Sequence, residues 1–100
     1  MKLPEDPFIL ELLPEFIDSW LDELTNKFPD LMKTRNDTEL YRMAHTMKGS
    51  CYQFGLNEIG DIGVELMNMI KNKEWDNVES KCNYVLSEFV KYHEYLQKNS

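Results

Sequence analysis

The C-terminal quarter of the chain carries an unbroken helical repeat of apolar residues, and this repeat limits the possible folds more than any other feature. The apolar residues recur at steps of three and four: Trp75, Val78, Cys82, Val85, Phe89, Tyr92 and Leu96. This spacing places them on one face of an α-helix. A partner-binding coiled coil would show the same spacing. A face packed in a core is favoured, because each helix of a bundle needs one such face.

Prolines divide the N-terminal third of the sequence. A short lead helix is predicted over residues 8–13, and Pro14 then suits the first turn of a longer helix, where its missing N–H costs nothing. Pro29 interrupts the apolar pattern of that longer helix. An interior proline costs ~3 kcal/mol, so a kink or a restart is expected near Phe28.

Two further helices are predicted in the middle of the chain. Asp37 is a good N-cap for a helix from residue 38 to about residue 54, and Gly55 suits the left-handed position that follows it. Asn57 can cap the next helix, which ends at a polar turn over residues 71–74. The apolar stripe of that helix consists of Ile59, Ile62, Leu66 and Ile70.

Gly60 and Gly63 lie inside the helix that follows Asn57. Each glycine costs ~1 kcal/mol relative to alanine, so a close approach to a neighbouring helix is expected there. No sustained period-2 alternation indicates a strand. Short connections make successive helices antiparallel neighbours. The sequence therefore predicts an all-α fold, an antiparallel up-down-up-down four-helix bundle with a short N-terminal lead helix.

Composition excludes several classes of protein. A formal net charge of −7 argues against nucleic-acid binding, which requires a basic surface. A length of 100 residues, 42% of them hydrophobic, suits one domain over residues 1–100. No apolar run approaches the ~18 residues of a membrane span, and no secretory signal is recognised. We therefore expect a cytoplasmic monomer.

One histidine lies beside a cation and a glycine on a single helical face. Lys48 follows His45 by three residues and Gly49 follows it by four, so both are neighbours of the ring. The core stripe of this helix is separate and consists of Leu40, Ala44, Met47, Cys51 and Phe54. His45 is therefore predicted to be exposed. There an imidazole can carry a phosphoryl group, the Lys48 ammonium can face its oxygens, and Gly49 leaves room for a second protein.

The chain resembles the histidine-containing phosphotransfer (HPt) domains of multistep two-component phosphorelays in the motif His45-x-x-Lys48-Gly49-Ser50, followed by Phe54-Gly55 and an apolar helix. The resemblance implies that His45 accepts a phosphoryl group through Nε2 from a receiver-domain aspartate and passes it to another receiver. The partners implied are response-regulator receiver domains and a hybrid sensor histidine kinase. The receiver would supply Mg²⁺, and this chain would have no cofactor, no metal site and no kinase activity of its own.

Residues around His45 are candidates for contact with a receiver. Residues 31–54 carry four cations against two carboxylates, a net +2, which leaves −9 for the rest of a chain whose total is −7. Such a basic segment would complement an acidic receiver site, although an ordinary mixed surface is the alternative. The candidate contacts are Arg42 and Lys71 for charge, and Tyr41, Tyr52, Met67 and Gly49 for close packing.

One position departs from the family pattern. Twenty-two residues after the histidine, many members have Gln or Glu, whose side chain hydrogen-bonds the imidazole, whereas this chain has Met67. A thioether is a weak acceptor. Either Glu65 or Asn68 takes over this role, or the ring depends on water.

Competing functions fit less well. A metal-binding bundle would place Glu three residues before each histidine, but Arg42 and Val90 stand there. No Ser or Cys is grouped with a histidine as a hydrolase requires. His93 has no motif around it and is interpreted as an ordinary surface or core-edge residue. The serious alternative is a non-transferring binding module that docks on and inhibits a receiver or a histidine kinase.

Overall fold

The computed structural model describes residues 2–99, and within them it confirms the predicted all-α bundle, with no strand. A long first helix is built from three consecutive segments, and three more helices follow at short links. The segments are α1 (Pro7–Asp22), a π-helical segment (Glu23–Lys27), α2 (Phe28–Lys33), α3 (Asp37–Gln53), α4 (Asn57–Lys71) and α5 (Trp75–Lys98).

The predicted separate lead helix over residues 8–13 is wrong, because α1 continues through Pro14. Asp6 caps the start of α1 by accepting a hydrogen bond from the Phe8 N–H at 2.9 Å. Leu13 and Ile17 are both completely buried. Core packing on either side of Pro14 therefore holds the helix together across the backbone hydrogen bond that proline cannot donate.

The interruption expected at Pro29 is present near Phe28 as a π-helical segment, after which α2 follows directly. The N–H of Phe28 bonds to the carbonyl of Glu23, five residues back, which closes the π-helical segment. Pro29 is then near the start of α2, where its missing N–H is tolerated. The wider π turn accommodates the proline without a break in the long first helix.

The three links between bundle helices share one backbone geometry. Arg35, Gly55 and Lys73 each adopt a positive φ, of 51°, 76° and 57°. In each link the following N–H bonds back to a carbonyl five residues earlier: Asn36 to Leu31 at 3.0 Å, Leu56 to Cys51 at 2.8 Å, and Glu74 to Met69 at 2.9 Å. These are Schellman-type helix ends. The left-handed position predicted for Gly55 is confirmed.

Because of this geometry, two N-caps lie one residue earlier than predicted. The residue after the left-handed position already caps the next helix, so the N-caps are Asn36 rather than Asp37 and Leu56 rather than Asn57. Asn36 accepts a hydrogen bond from the Glu39 N–H at 3.2 Å. The three-residue links keep consecutive helices antiparallel, as predicted.

The core runs along the inside of all four bundle helices. The predicted apolar face of α5 is part of it, with Val78, Cys82, Val85 and Phe89 buried. The Phe89 ring stacks on Trp20 of α1 with centroids 6.2 Å apart. Packing within the bundle therefore uses this face. Among residues 2–99, no helix is long and apolar enough to cross a bilayer.

Candidate functional site

Helix α3 presents two separate faces, as the sequence predicted. Leu40, Ala44, Met47 and Cys51 are completely buried on the core side. The outward side carries Tyr41, His45, Gly49 and Tyr52, all exposed, with Lys48 half-buried beside them. The predicted exposure of the His45 ring is confirmed.

The close approach expected at the two glycines of α4 is also confirmed. A Cβ atom added to Gly63 would lie 2.8 Å from the backbone N of Lys48, and one added to Gly60 would overlap the Tyr52 ring. The Tyr52 hydroxyl donates a hydrogen bond of 2.5 Å to Asp61 Oδ1. This bond, together with partial desolvation, raises the pKa of Tyr52 above its usual value. The α3–α4 contact is therefore both tight and tied by a side-chain hydrogen bond.

The register of this contact places Met67 opposite the phosphoryl-acceptor candidate. Gly63 meets Lys48, and Gly60 meets Tyr52 one turn further along α3. Because α3 and α4 are antiparallel, one further turn toward the C-terminus of α4 corresponds to one turn toward the N-terminus of α3. This step brings Met67 level with His45. Met67 is half-buried there. This matches the position that sequence counting gave it.

Glu65 does not take the orienting role that was one of the sequence alternatives. Its Oε2 lies 3.1 Å from the Nζ of Lys81 on α5, so the carboxylate is turned away from α3. Within residues 2–99 the His45 ring makes no hydrogen bond, to Asn68 or to any other residue. The ring therefore presents both nitrogens for contact with solvent or a partner.

The cations near His45 differ in whether they are already paired. Arg42 is bound to Glu39 at 2.7 Å. The Lys48 ammonium has no ion pair or hydrogen bond in the described part of the chain, and the same holds for Lys71, the exposed last residue of α4. Lys48 is therefore the unpaired cation that adjoins the His45 ring along its own helix.

Gly49 has no packing role within residues 2–99. A Cβ atom built on it would meet nothing within 4 Å beyond its own backbone neighbours among residues 2–99. Glycine in a helix interior is destabilising by about 1 kcal/mol relative to alanine. Because no contact within the bundle requires this glycine, its open space is available to something outside the chain.

His93 lies in a different environment, at the contact between α1 and α5. Its Nδ1 is 3.1 Å from Asp18 Oδ1. The small cleft around it, of about 200 Å³, is lined by no lysine or arginine; the lining residues are Pro14, Ile17, Asp18, His93, Leu96 and Gln97. A phosphoryl group on His93 would therefore face a carboxylate rather than a cation. No group of three or more side chains suited to a metal ion occurs in residues 2–99.

Sequence reasoning missed two features of this site. It placed a close approach at Gly63 but did not identify Lys48 as the residue approached. It also did not find the bond between Tyr52 and Asp61. Gly60 and Gly63 are one turn apart on α4, as Tyr52 and Lys48 are on α3. Counting outward from the Gly55 link along both helices would have paired Gly60 with Tyr52 and Gly63 with Lys48.

Comparison with known protein families gives one result. A family model described as Hpt domain matches residues 10–98. That range contains α3 and α4 with His45, Lys48 and Gly49, the whole of α5 and nearly all of the long first helix. No match was found among curated proteins or among solved structures.

Proposed function

The chain belongs to the Hpt domain family, and from that premise we propose that it is a phosphorelay carrier whose acceptor is His45. Membership implies histidine phosphotransfer in a phosphorelay. In the finer assignment, His45 accepts the phosphoryl group from a receiver-domain aspartate and passes it to another receiver. The observation that supports this most is the exposed ring with an unpaired Lys48 ammonium three residues on and open space at Gly49.

The chemistry proposed for the site is a reversible displacement at phosphorus. The lone pair of Nε2 attacks the phosphoryl group of an acyl phosphate, an N–P bond forms, and the aspartate leaves as a carboxylate. The transferring group carries negative charge on its equatorial oxygens. The Lys48 ammonium supports these oxygens as a point charge. Any Mg²⁺ would come with the receiver, and the chain acts as a carrier without kinase activity.

The partners proposed are response-regulator receivers and, as the donor, the receiver of a hybrid sensor histidine kinase. The chain is proposed to act as a cytoplasmic monomer. The deciding experiment is incubation with phosphorylated receivers from the same genome, followed by detection of acid-labile, base-stable phosphate on this chain. Receiver binding without any labelling would support the alternative, a non-transferring module that inhibits its partner.

Lys48→Ala is expected to slow phosphoryl transfer more than it weakens receiver binding. The substitution removes one charge-assisted contact, worth about 1.5–3 kcal/mol, which corresponds to roughly tenfold to a hundredfold in rate. Rapid-quench transfer assays at several receiver concentrations separate the two quantities. A loss confined to affinity, with the maximal rate unchanged, would contradict the role given to Lys48.

The receiver is expected to dock on the outer faces of α3 and α4. The proposed contact residues on these faces are Tyr41, Gly49, Tyr52 and Met67, with Arg42 and Lys71 at the edge. Exposed aromatic and methionine side chains are enriched where interfaces form, and Met67 offers adaptable apolar area. NMR shift mapping with an unphosphorylated receiver tests the surface. Shifts confined to α5 would contradict it.

A further inference from the structure

The tightest backbone approach described at the glycines of the bundle joins Gly63 to Lys48, the cation of the proposed site. An added Cβ at Gly63 would lie 2.8 Å from the N, 2.9 Å from the Cα and 3.0 Å from the Cβ of Lys48. Two of these atoms are backbone, so they cannot yield without moving α3 or α4. At Gly60 the conflict is with the Tyr52 ring, which is a side chain.

The direction of the Lys48 side chain follows from helix geometry. Side chains on an α-helix lean toward its N-terminus, over the residues three and four positions earlier. The Lys48 stem therefore leans toward the turn that contains His45. Lys48 lies at the α3–α4 contact and is half-buried, whereas His45 and Gly49 are exposed. The space that a side chain on Gly63 would occupy borders the first carbon of this stem.

We propose that Gly63 is a positioning residue for phosphoryl transfer: by lacking a side chain, it lets the Lys48 stem lie against α4, so that the ammonium is held beside the His45 ring. The inference rests on the proposed function, because the ammonium matters only if His45 carries a phosphoryl group. A side chain at Gly63 would push α3 and α4 apart, so that the Lys48 stem would no longer lie against α4 and its charge would be present but wrongly placed. Close placement is what phosphoryl transfer requires of such a group.

A double-mutant cycle tests this proposal. Gly63→Ala, Lys48→Ala and the double variant are compared for transfer from a phosphorylated receiver, with the folded fraction of each measured by circular dichroism. Gly63→Ala is expected to lower the maximal rate roughly tenfold at an unchanged half-saturating receiver concentration. In the Lys48→Ala background it should have no further effect, because the two residues act as one unit. Additive effects, or an unchanged rate, would overturn the proposal.

Gly60→Ala is the matched control. It makes the same change on the same helix, one turn away, against Tyr52 instead of Lys48. It is expected to reduce stability, and it can weaken receiver binding by moving Tyr52, but the folded protein should keep the wild-type maximal rate at saturating receiver. A rate loss equal to that of Gly63→Ala, and equally absent in the Lys48→Ala background, would show that any disturbance of the α3–α4 contact suffices and would overturn the specific role of Gly63.

A measurement on the wild-type protein keeps the proposal testable if Gly63→Ala does not fold. Nuclear Overhauser contacts are expected between the Gly63 α-protons and the Lys48 side-chain methylenes, and between the Lys48 ε-methylene and Met67. Their absence would overturn the proposal. Failure of the proposed function is distinguishable, because the wild-type chain would then take no label although these contacts are present.

Discussion

His45→Gln is expected to abolish phosphoryl labelling by a phosphorylated receiver and to leave the fold intact. Glutamine has no ring nitrogen whose lone pair can form the N–P bond. His45 is exposed and makes no hydrogen bond within residues 2–99. Surface substitutions of this kind usually change the free energy of unfolding by less than about 0.5 kcal/mol. Labelling with radioactive phosphate and thermal unfolding by circular dichroism measure the two effects.

His93→Gln is the matched control for this prediction, and it should keep full labelling. Its ring contacts Asp18 across the α1–α5 contact, so the substitution can lower stability somewhat, since one side-chain hydrogen bond is worth about 1 kcal/mol. Undiminished labelling of the His45→Gln protein would refute the assignment of the acceptor. Loss of label in a folded His93→Gln protein would move the assignment to the second histidine.

The helical architecture could be predicted because each bundle helix carries its own apolar period. The face of α5 extends over the predicted residues. In α3 the predicted core positions Leu40, Ala44, Met47 and Cys51 are buried, whereas Phe54, just after the helix, is only half-buried. The continuity of α1 through Pro14 could not be predicted from local rules. A proline at that position normally ends or kinks a helix, and only the burial of Leu13 and Ile17 in the tertiary structure reverses this preference.

At two of the three links, the residue type does not reveal the backbone conformation. Gly55 indicated a left-handed position, because glycine adopts positive φ without steric cost. Arg35 and Lys73 adopt the same conformation although neither residue type favours it. Because those two positions were not recognised, nothing in the sequence showed that all three links are alike. The predicted cap Asp37 was consequently one residue late. The cap Asn57 was also one residue late although Gly55 had been recognised, because the actual N-cap, Leu56, makes no side-chain capping bond.

The helical period of α3 alone predicted which face of the site is exposed. It did not predict which residues of the other helices the site residues contact. Exposure of His45 depends only on positions within α3. Glu65 was a possible partner of the ring by spacing, yet it binds Lys81, and that choice depends on how α5 is rotated against α4. The contact of Gly63 with Lys48 likewise depends on the register of two helices, which the pattern of a single helix does not contain.

Gly49→Gln is expected to weaken receiver binding by about a hundredfold while making the isolated protein more stable. The added side chain meets open space in the free molecule, and glutamine is a better helix former than glycine, so unfolding should require up to ~1 kcal/mol more. In the docked complex the same side chain would occupy the path of the receiver. Overpacking a tight contact costs up to about 3 kcal/mol. Titration calorimetry with an unphosphorylated receiver measures the affinity.

Gly49→Ala separates the effect of obstructing the receiver from the effect of a higher helix propensity. It should give a similar gain in stability, because alanine also replaces glycine in an exposed helix interior, but its single methyl group should change receiver affinity much less. Lys48→Ala provides the opposite contrast, since it removes the charge and leaves the docking path open. If Gly49→Gln and Lys48→Ala reduced affinity equally, the separate roles given to the two residues, access for Gly49 and charge for Lys48, would be contradicted. If Gly49→Gln destabilised the free protein, Gly49 would have a packing role inside the bundle, and its open space could no longer be attributed to a docking partner.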